Sequence, residues 1–239
     1  MDMEQFSVRR LLGVLFTPDL NIGNYIKILN IIVSLTGEKF DGQPTILPIP
    51  QDAPPDIPRL QLSSKDKKWG LNISLVRTDL LHVSDPFKGD EIDKVRSFST
   101  LCSDFFSQFQ KSIDLRVQRL AFVTDRILRE NIPSDYIVEK FCKPELKQEG
   151  SPFNNTKSFE LHSLKKYQWE GFNVNSWVRI KSAVHGPEKF PIVLLSNDIN
   201  TLGKEEDPSK QFTSDDIKRF FPNVTNHIKG IVDKYFPGG

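Results

Sequence analysis

Trp69-Gly70-Leu71-Asn72-Ile73-Ser74-Leu75 decides the fold class. Trp69, Leu71, Ile73 and Leu75 alternate with Gly70, Asn72 and Ser74, the period of a strand with one buried face. Upstream, Leu60 and Leu62 alternate with polar neighbours, and Lys65-Asp66-Lys67-Lys68 reads as a charged turn. Downstream, Arg77-Thr78-Asp79 turns the chain, Leu81 and Val83 continue the sheet, and Asp85-Pro86 closes it. Connections this short join antiparallel strands, so the stretch is a meander.

Working outward, residues 11–16 read as a short buried strand. Tyr25, Ile28, Leu29, Ile32 and Leu35 recur at helical spacing, with Gly37 placed as a C-terminal cap. Pro44, Pro48, Pro50, Pro54, Pro55 and Pro58 forbid a helix or a central strand. That segment is either an extended surface connection or a ligand for an aromatic groove. After the meander, Asp90-Glu91-Ile92-Asp93 opens a long helix, with acids at its positive end. Ile92, Val95, Cys102, Phe105, Phe106, Phe109 and Ile113 form its apolar stripe.

The order then starts again. Residues 117–127 read as a strand, and Ser134 caps a short helix carrying Tyr136, Ile137, Val138 and Phe141. Three strands follow at 158–169, 174–184 and 191–197. An acidic loop at 205–207 leads to Thr213-Ser214-Asp215-Asp216, a helix start, and Pro222 is expected to kink or split the helix beyond it. Each half therefore reads strand, helix, three strands, helix, with residues 1–115 as the first unit and 116–239 as the second. The expected fold is α+β: two tandem β-α-β-β-β-α units in one compact globule, sharing an antiparallel sheet. A saddle like that of TATA-binding protein and a helix-grip cup both satisfy this order, and both leave a sheet face for binding.

Composition limits the function. The chain has 239 residues, 38% hydrophobic and 26% charged, which excludes disorder, collagen and a coiled-coil rod. Thirty-two basic residues against 31 acidic leave +1, so no global field draws the chain to nucleic acid or an anionic membrane. No stretch reaches the roughly 20 apolar residues of a membrane span, and no secretory leader is read at the start, so the expected location is cytoplasmic. Two cysteines without paired spacing, Cys102 and Cys142, fit a reducing compartment.

Catalytic signatures are absent from the sequence: no phosphate loop, no Gly-x-Ser-x-Gly, no His-Glu-x-x-His, no Cys-x-x-Cys. His82, His162, His185 and His227 lack metal-ligand spacing, although strands could bring His82 and His162 together. Pro55-Asp56 followed by Asp66-Lys67-Lys68 imitates a magnesium-nuclease spacing, but the second acid and the lysines sit in a turn where charge is simply solvated. No catalytic residue, metal ligand or cofactor is assigned. The terminal Gly238-Gly239 has the shape that carboxyl-activating conjugation enzymes use.

The strongest local feature lies between residues 157 and 189, where six basic residues face three acidic ones. Lys165, Tyr167 and Trp169 share one face of their strand, and Trp177, Arg179 and Lys181 share one face of the next. A three-residue loop would set Tyr167 opposite Trp177 and Lys165 opposite Arg179, forming a basic, aromatic patch. A two-residue loop would instead put Val178 opposite Lys165 and dissolve that patch.

Arg59-Leu60-Gln61-Leu62-Ser63-Ser64-Lys65-Asp66-Lys67-Lys68-Trp69, continuing to Leu80-Leu81, resembles a segment of an uncharacterised, sporadically distributed family of prokaryotic proteins of similar length. Gly13-Val14-Leu15-Phe16, the helix at 90–113, and His227-Ile228 with Tyr235-Phe236 extend the resemblance. It implies no established activity and no functional residues. The patchy distribution implies accessory cargo, such as antiviral defence or toxin–antitoxin systems. The expected function is a non-enzymatic binding or adaptor protein that holds a protein partner through Lys165, Tyr167, Trp169, Trp177, Arg179 and Lys181. The alternative is a nucleic-acid or nucleotide binder using the same patch.

Overall fold

A computed structural model describes residues 6–18, 20–50, 52–86, 91–203 and 208–236. Asp90, the acids at 205–207 and the Gly238-Gly239 tail lie outside the described residues.

The first half runs β1 (Ser7–Phe16), α1 (Tyr25–Thr36), β2 (Thr45–Ile46), β3 (Leu60–Ser63), β4 (Trp69–Ile73), β5 (Arg77–Val83) and α2 (Glu91–Ile113). The second runs β6 (Arg119–Arg129), α3 (Pro133–Phe141), β7 (Glu160–Trp169), β8 (Phe172–His185), β9 (Phe190–Thr201) and α4 (Ser214–Tyr235). All strand pairings are antiparallel, and they build one nine-stranded sheet in the order β2-β3-β4-β5-β1-β6-β9-β8-β7. Apart from the two-residue β2, each half contributes its strands in the same spatial sequence. The first strands of the two halves, β1 and β6, pair at the centre.

The helices collect on one face. Gly13 on β1 is hemmed by Cys102 and Phe106 of α2 and by Phe221 of α4. No side chain fits there, so its glycine lets both long helices approach the centre of the sheet. Phe98, Phe105, Phe106 and Phe109 of α2 and Phe220 and Phe221 of α4 are buried in the seam. Phe106 meets Phe221 at 5.3 Å between ring centroids. The α1 helix packs on α2, while α3 covers β8 and β9 and meets the end of α4 through Phe141 and Phe236. Two long helices lie side by side here, where a helix grip holds one.

Local chemistry departs from expectation at two helices. The N-cap of α3 is Ile132, with Pro133 in the first turn and Ser134 buried inside the helix; the fixed φ of proline starts the helix without a side-chain cap. The α4 helix passes Pro222 as one element. Proline withholds the N–H that would bond the Lys218 carbonyl; around it, Ser99 Oγ–H of α2 donates to Phe221 O, and Asn223 Nδ2 donates to Arg219 O. A capping box at Thr213 and Asp216 starts the helix as its sequence signals.

Candidate functional site

Because side chains alternate across a strand, covering one sheet face with helices leaves the other set of residues without a helical partner. The helix-free face is therefore fixed by register. One row of cross-strand partners runs Ser63, Gly70, Leu81, Leu12, Val123, Asp198, Trp177 and Leu164, passing through eight strands. Leu81, Leu12, Val123 and Trp177 are half-buried, and Leu164 is 43% exposed. This is a nearly continuous apolar stripe perpendicular to the strands, interrupted by Asp198.

Polar rows flank the stripe. On one side stand Arg10, Asp125, Ser196, Arg179 and His162 in register. Arg10 Nε lies 2.8 Å from Asp125 Oδ2, and Ser196 Oγ donates to Asp125 at 2.7 Å. On the other side Asn200 accepts from Arg119 Nη2 at 2.5 Å and from Asn175 Nδ2 at 3.2 Å, and donates to Asp198 at 2.8 Å. Arginines cover the aromatic rings: Arg77 and Arg119 over Phe16 at 5.3 and 5.0 Å, Arg129 over Phe190 at 4.3 Å, and Arg179 over Trp177 at 4.8 Å. Asp79 is drawn in two directions, since burial raises its pKa and the Arg77 guanidinium opposes that rise.

Counting strand positions on this face, the cations are Arg10, Arg77, Arg119, Arg129, Lys166, Arg179 and Lys181. The acids are Asp79, Asp125, Glu160 and Asp198. The face is thus more basic than a chain of net charge +1 would give.

The six residues singled out from sequence do not share a face. The β7–β8 turn is the two-residue Glu170-Gly171, with both φ values positive at 50° and 78°. That is the tight hairpin turn that matches strand twist. It sets Lys165 opposite Ser176, not Val178, and Tyr167 opposite Val174. Trp177, Arg179 and Lys181 stand on the helix-free face with His162, Leu164 and Lys166 beside them. Tyr167 and Trp169 turn to the helix side. There Tyr167 Oη lies 2.5 Å from His227 Nε2, and Trp169 stacks on the His227 ring at 4.5 Å. The Lys165 ammonium sits 5.3 Å above the Tyr167 ring. Burial raises the Tyr167 pKa, and burial followed by Lys234 lowers that of His227. These contacts tie the edge strand to α4.

The histidines do not converge. His82 packs against Trp69 at 4.3 Å on the helix side, whereas His162 pairs with Glu160 at the far edge. Among the described residues no group of three or more His, Cys, Asp or Glu side chains is placed to hold a metal ion. The Asp66 turn is held by Ser64 Oγ at 2.5 Å and by Lys68 N, and Lys67 takes a positive φ of 58°. Cys102 is buried under the sheet, and burial pushes its thiol pKa well up. Among the described residues, no helix is long and apolar enough to cross a membrane.

No family model matches this chain, and no curated protein matches it. Among solved structures, it is similar to the di-domain ARO/CYC StfQ from the steffimycin biosynthetic pathway. That likeness has 10% identity over 91% of this chain and 93% of that one, with a TM-score of 0.21, a value that carries no argument about fold or activity.

Proposed function

We propose that this is a non-enzymatic binding protein that holds a protein partner across the helix-free face of its sheet, as an adaptor. The observation that carries the proposal is the apolar row through Leu81, Leu12, Val123, Trp177 and Leu164, bordered by charged and amide rows. An apolar centre holding a tryptophan, a polar rim and several arginines are the anatomy of a protein–protein contact. The setting in a prokaryotic accessory system, antiviral defence or toxin–antitoxin, rests on the family resemblance alone.

The test begins with isolation of the native complex and identification of its partner, followed by affinity measurements on variants. Trp177→Ala is expected to weaken binding by about 2 kcal/mol, roughly 30-fold, as for a central interface tryptophan. Arg179→Glu with Lys181→Glu is expected to change affinity far less. Unchanged affinity in Trp177→Ala would sink the proposal.

A nucleic-acid or nucleotide ligand is favoured by a separate observation: seven cations against four acids on this face, with Arg119 and Arg179 laid over rings. Salt separates the two cases. Phosphate contacts make affinity fall steeply with added salt, and the double charge reversal would abolish binding. An apolar anchor responds little to either change.

A further inference from the structure

The two ends of the sheet are built differently. At one end, β3 is covered by β2, a two-residue strand between Pro44 and Pro48, so that edge is short and flanked by residues without an N–H. At the other end stands β7, the counterpart of β3 in the second half, and among the described residues no counterpart of β2 lies beyond it. It is ten residues long, has neither proline nor glycine, and pairs with β8 without a bulge. An edge strand of this length and regularity is a template for another strand.

The hairpin fixes which backbone groups turn away from β8. In a two-residue hairpin the residues flanking the turn, Trp169 and Phe172, form a mutually hydrogen-bonded pair, and such pairs recur at every second residue. Odd-numbered residues of β7 therefore bond to β8. The N–H and C=O groups of Glu160, His162, Leu164, Lys166 and Gln168 point outward. These are the same residues whose side chains stand on the helix-free face.

We infer that two copies of this chain pair through β7, antiparallel, in the register that sets Leu164 opposite its counterpart in the second copy. Only even-to-even registers match the outward groups, and this one centres the pairing on the strand. His162 then faces Lys166 of the second copy, Glu160 faces Gln168, and Glu160 lies diagonal to Lys166. On the helix side Leu161 faces Tyr167, and Lys165 faces Ser163. No two lysines and no two acids stand directly opposite. Centring the pairing on Lys166 instead would oppose two lysines. The Leu164 pairing also continues the apolar row from Trp177 and Leu164 into the second copy, which doubles the binding stripe. The dimer goes beyond the proposed function and does not require it.

Light scattering on the purified full chain, across a concentration series, tests the pairing. The expected mass approaches twice 27.4 kDa as concentration rises. Leu164→Lys puts two lysines directly opposite, with Cβ atoms about 5.5 Å apart across the two-fold, and is expected to weaken the dimer at least about tenfold. Circular dichroism verifies that this exposed substitution leaves the fold intact. In a Cys142→Ser background, Leu164→Cys is expected to cross-link through a short bis-maleimide. His162→Cys is expected not to, because its counterpart lies about 14 Å away along the strand. Monomeric mass at every concentration, a dimer untouched by Leu164→Lys, or equal cross-linking at 162 and 164 would each overturn the inference. These readouts use no other protein, so their failure leaves the face-binding proposal standing.

Discussion

Adding a single methyl group at Gly13 tests the placement of both long helices. A Cβ there would lie 2.5 Å from Cys102 Sγ, 3.1 Å from Phe106 Cε2 and 3.4 Å from Phe221 Cε1. All three neighbours are fully buried, so none can swing into solvent. The sulfur has to retreat by about 1 Å from a close-packed seam, and overpacking of this kind costs about 1–3 kcal/mol. Replacing glycine by alanine in a strand returns about 0.5–1 kcal/mol of backbone entropy. The expected net loss for Gly13→Ala is therefore about 1–2 kcal/mol. At roughly 2–4 °C per kcal/mol for a chain of this size, that lowers Tm by about 2–8 °C. Cys102→Ala removes the closest atom and by itself opens a small void, at about 1 kcal/mol. The double variant is expected to be more stable than the sum of the single losses by about 1 kcal/mol, since the new methyl occupies the space of the sulfur. Urea unfolding followed by tryptophan fluorescence and by circular dichroism measures the cycle. A neutral Gly13→Ala would mean that α2 does not lie over the centre of β1. Strictly additive losses would mean that Cys102 is not the group the methyl meets.

Three further changes bear on other parts of the fold. Thr213→Ala removes the side chain that accepts from Asp216 N in the capping box of α4, and a loss of about 1 kcal/mol in urea is expected; no loss would argue against the cap. Gly171→Ala places a side chain at φ 78°, and a cost of about 1–2 kcal/mol follows if the turn keeps two residues. Burial, then Lys39 and Lys68, hold His82 below its ordinary pKa near 6.5, and burial, then Lys234, do the same to His227. The unfolded chain thus binds more protons than the folded one once pH falls below about 6.5. Stability from these histidines is complete above that pH and declines as pH drops toward their lowered values. The urea midpoint is expected to fall between pH 7 and 5.5, with a shallower slope in His82→Asn; a midpoint that rises on acidification would reverse the sign.

The meander and the repeated order were legible because half-buried strands carry period two and the helices carry period 3.6. Trp69-Gly70-Leu71-Asn72-Ile73 shows this most plainly, and it pairs on both sides as its alternation requires. The proposed binding face was only half legible. Trp177, Arg179 and Lys181 alternate with buried apolar residues, so their common face could be read from one strand. Whether Tyr167 and Trp169 joined them depended on a single residue in the turn, because a change of one in loop length turns the facing strand over. Glu170 taking a positive φ beside Gly171 settled the count at two, and a glutamate gives little sign of that conformation. Leu12 and Val123 escaped notice for another reason. Residues 11–16 and 120–123 are apolar on both sides, so periodicity cannot tell the helix-facing set from the exposed set.

That ambiguity at the centre has a functional consequence. In the outer strand β8, Val174, Val178 and Ile180 face the core while Asn175, Arg179 and Lys181 face outward, so polarity separates most of its two faces. In β1 and β6, Leu12 and Val123 on the open side stand between Leu11, Gly13, Phe122 and Thr124 on the helix side. A sheet face meant only for water would carry polar side chains at 12 and 123, since apolar residues in the middle of an exposed face gain nothing from solvent. Their presence, in register with Leu81 and Trp177, supports the proposal that this face is covered. Substituting them leaves the phenylalanine seam of α2 and α4 untouched, because that seam lies on the opposite side of the same strands. Leu12→Ser with Val123→Ser is therefore expected to cost little in urea unfolding while weakening whatever the face holds. A collapse of the fold in that variant would place these side chains in the core and remove the central part of the binding stripe.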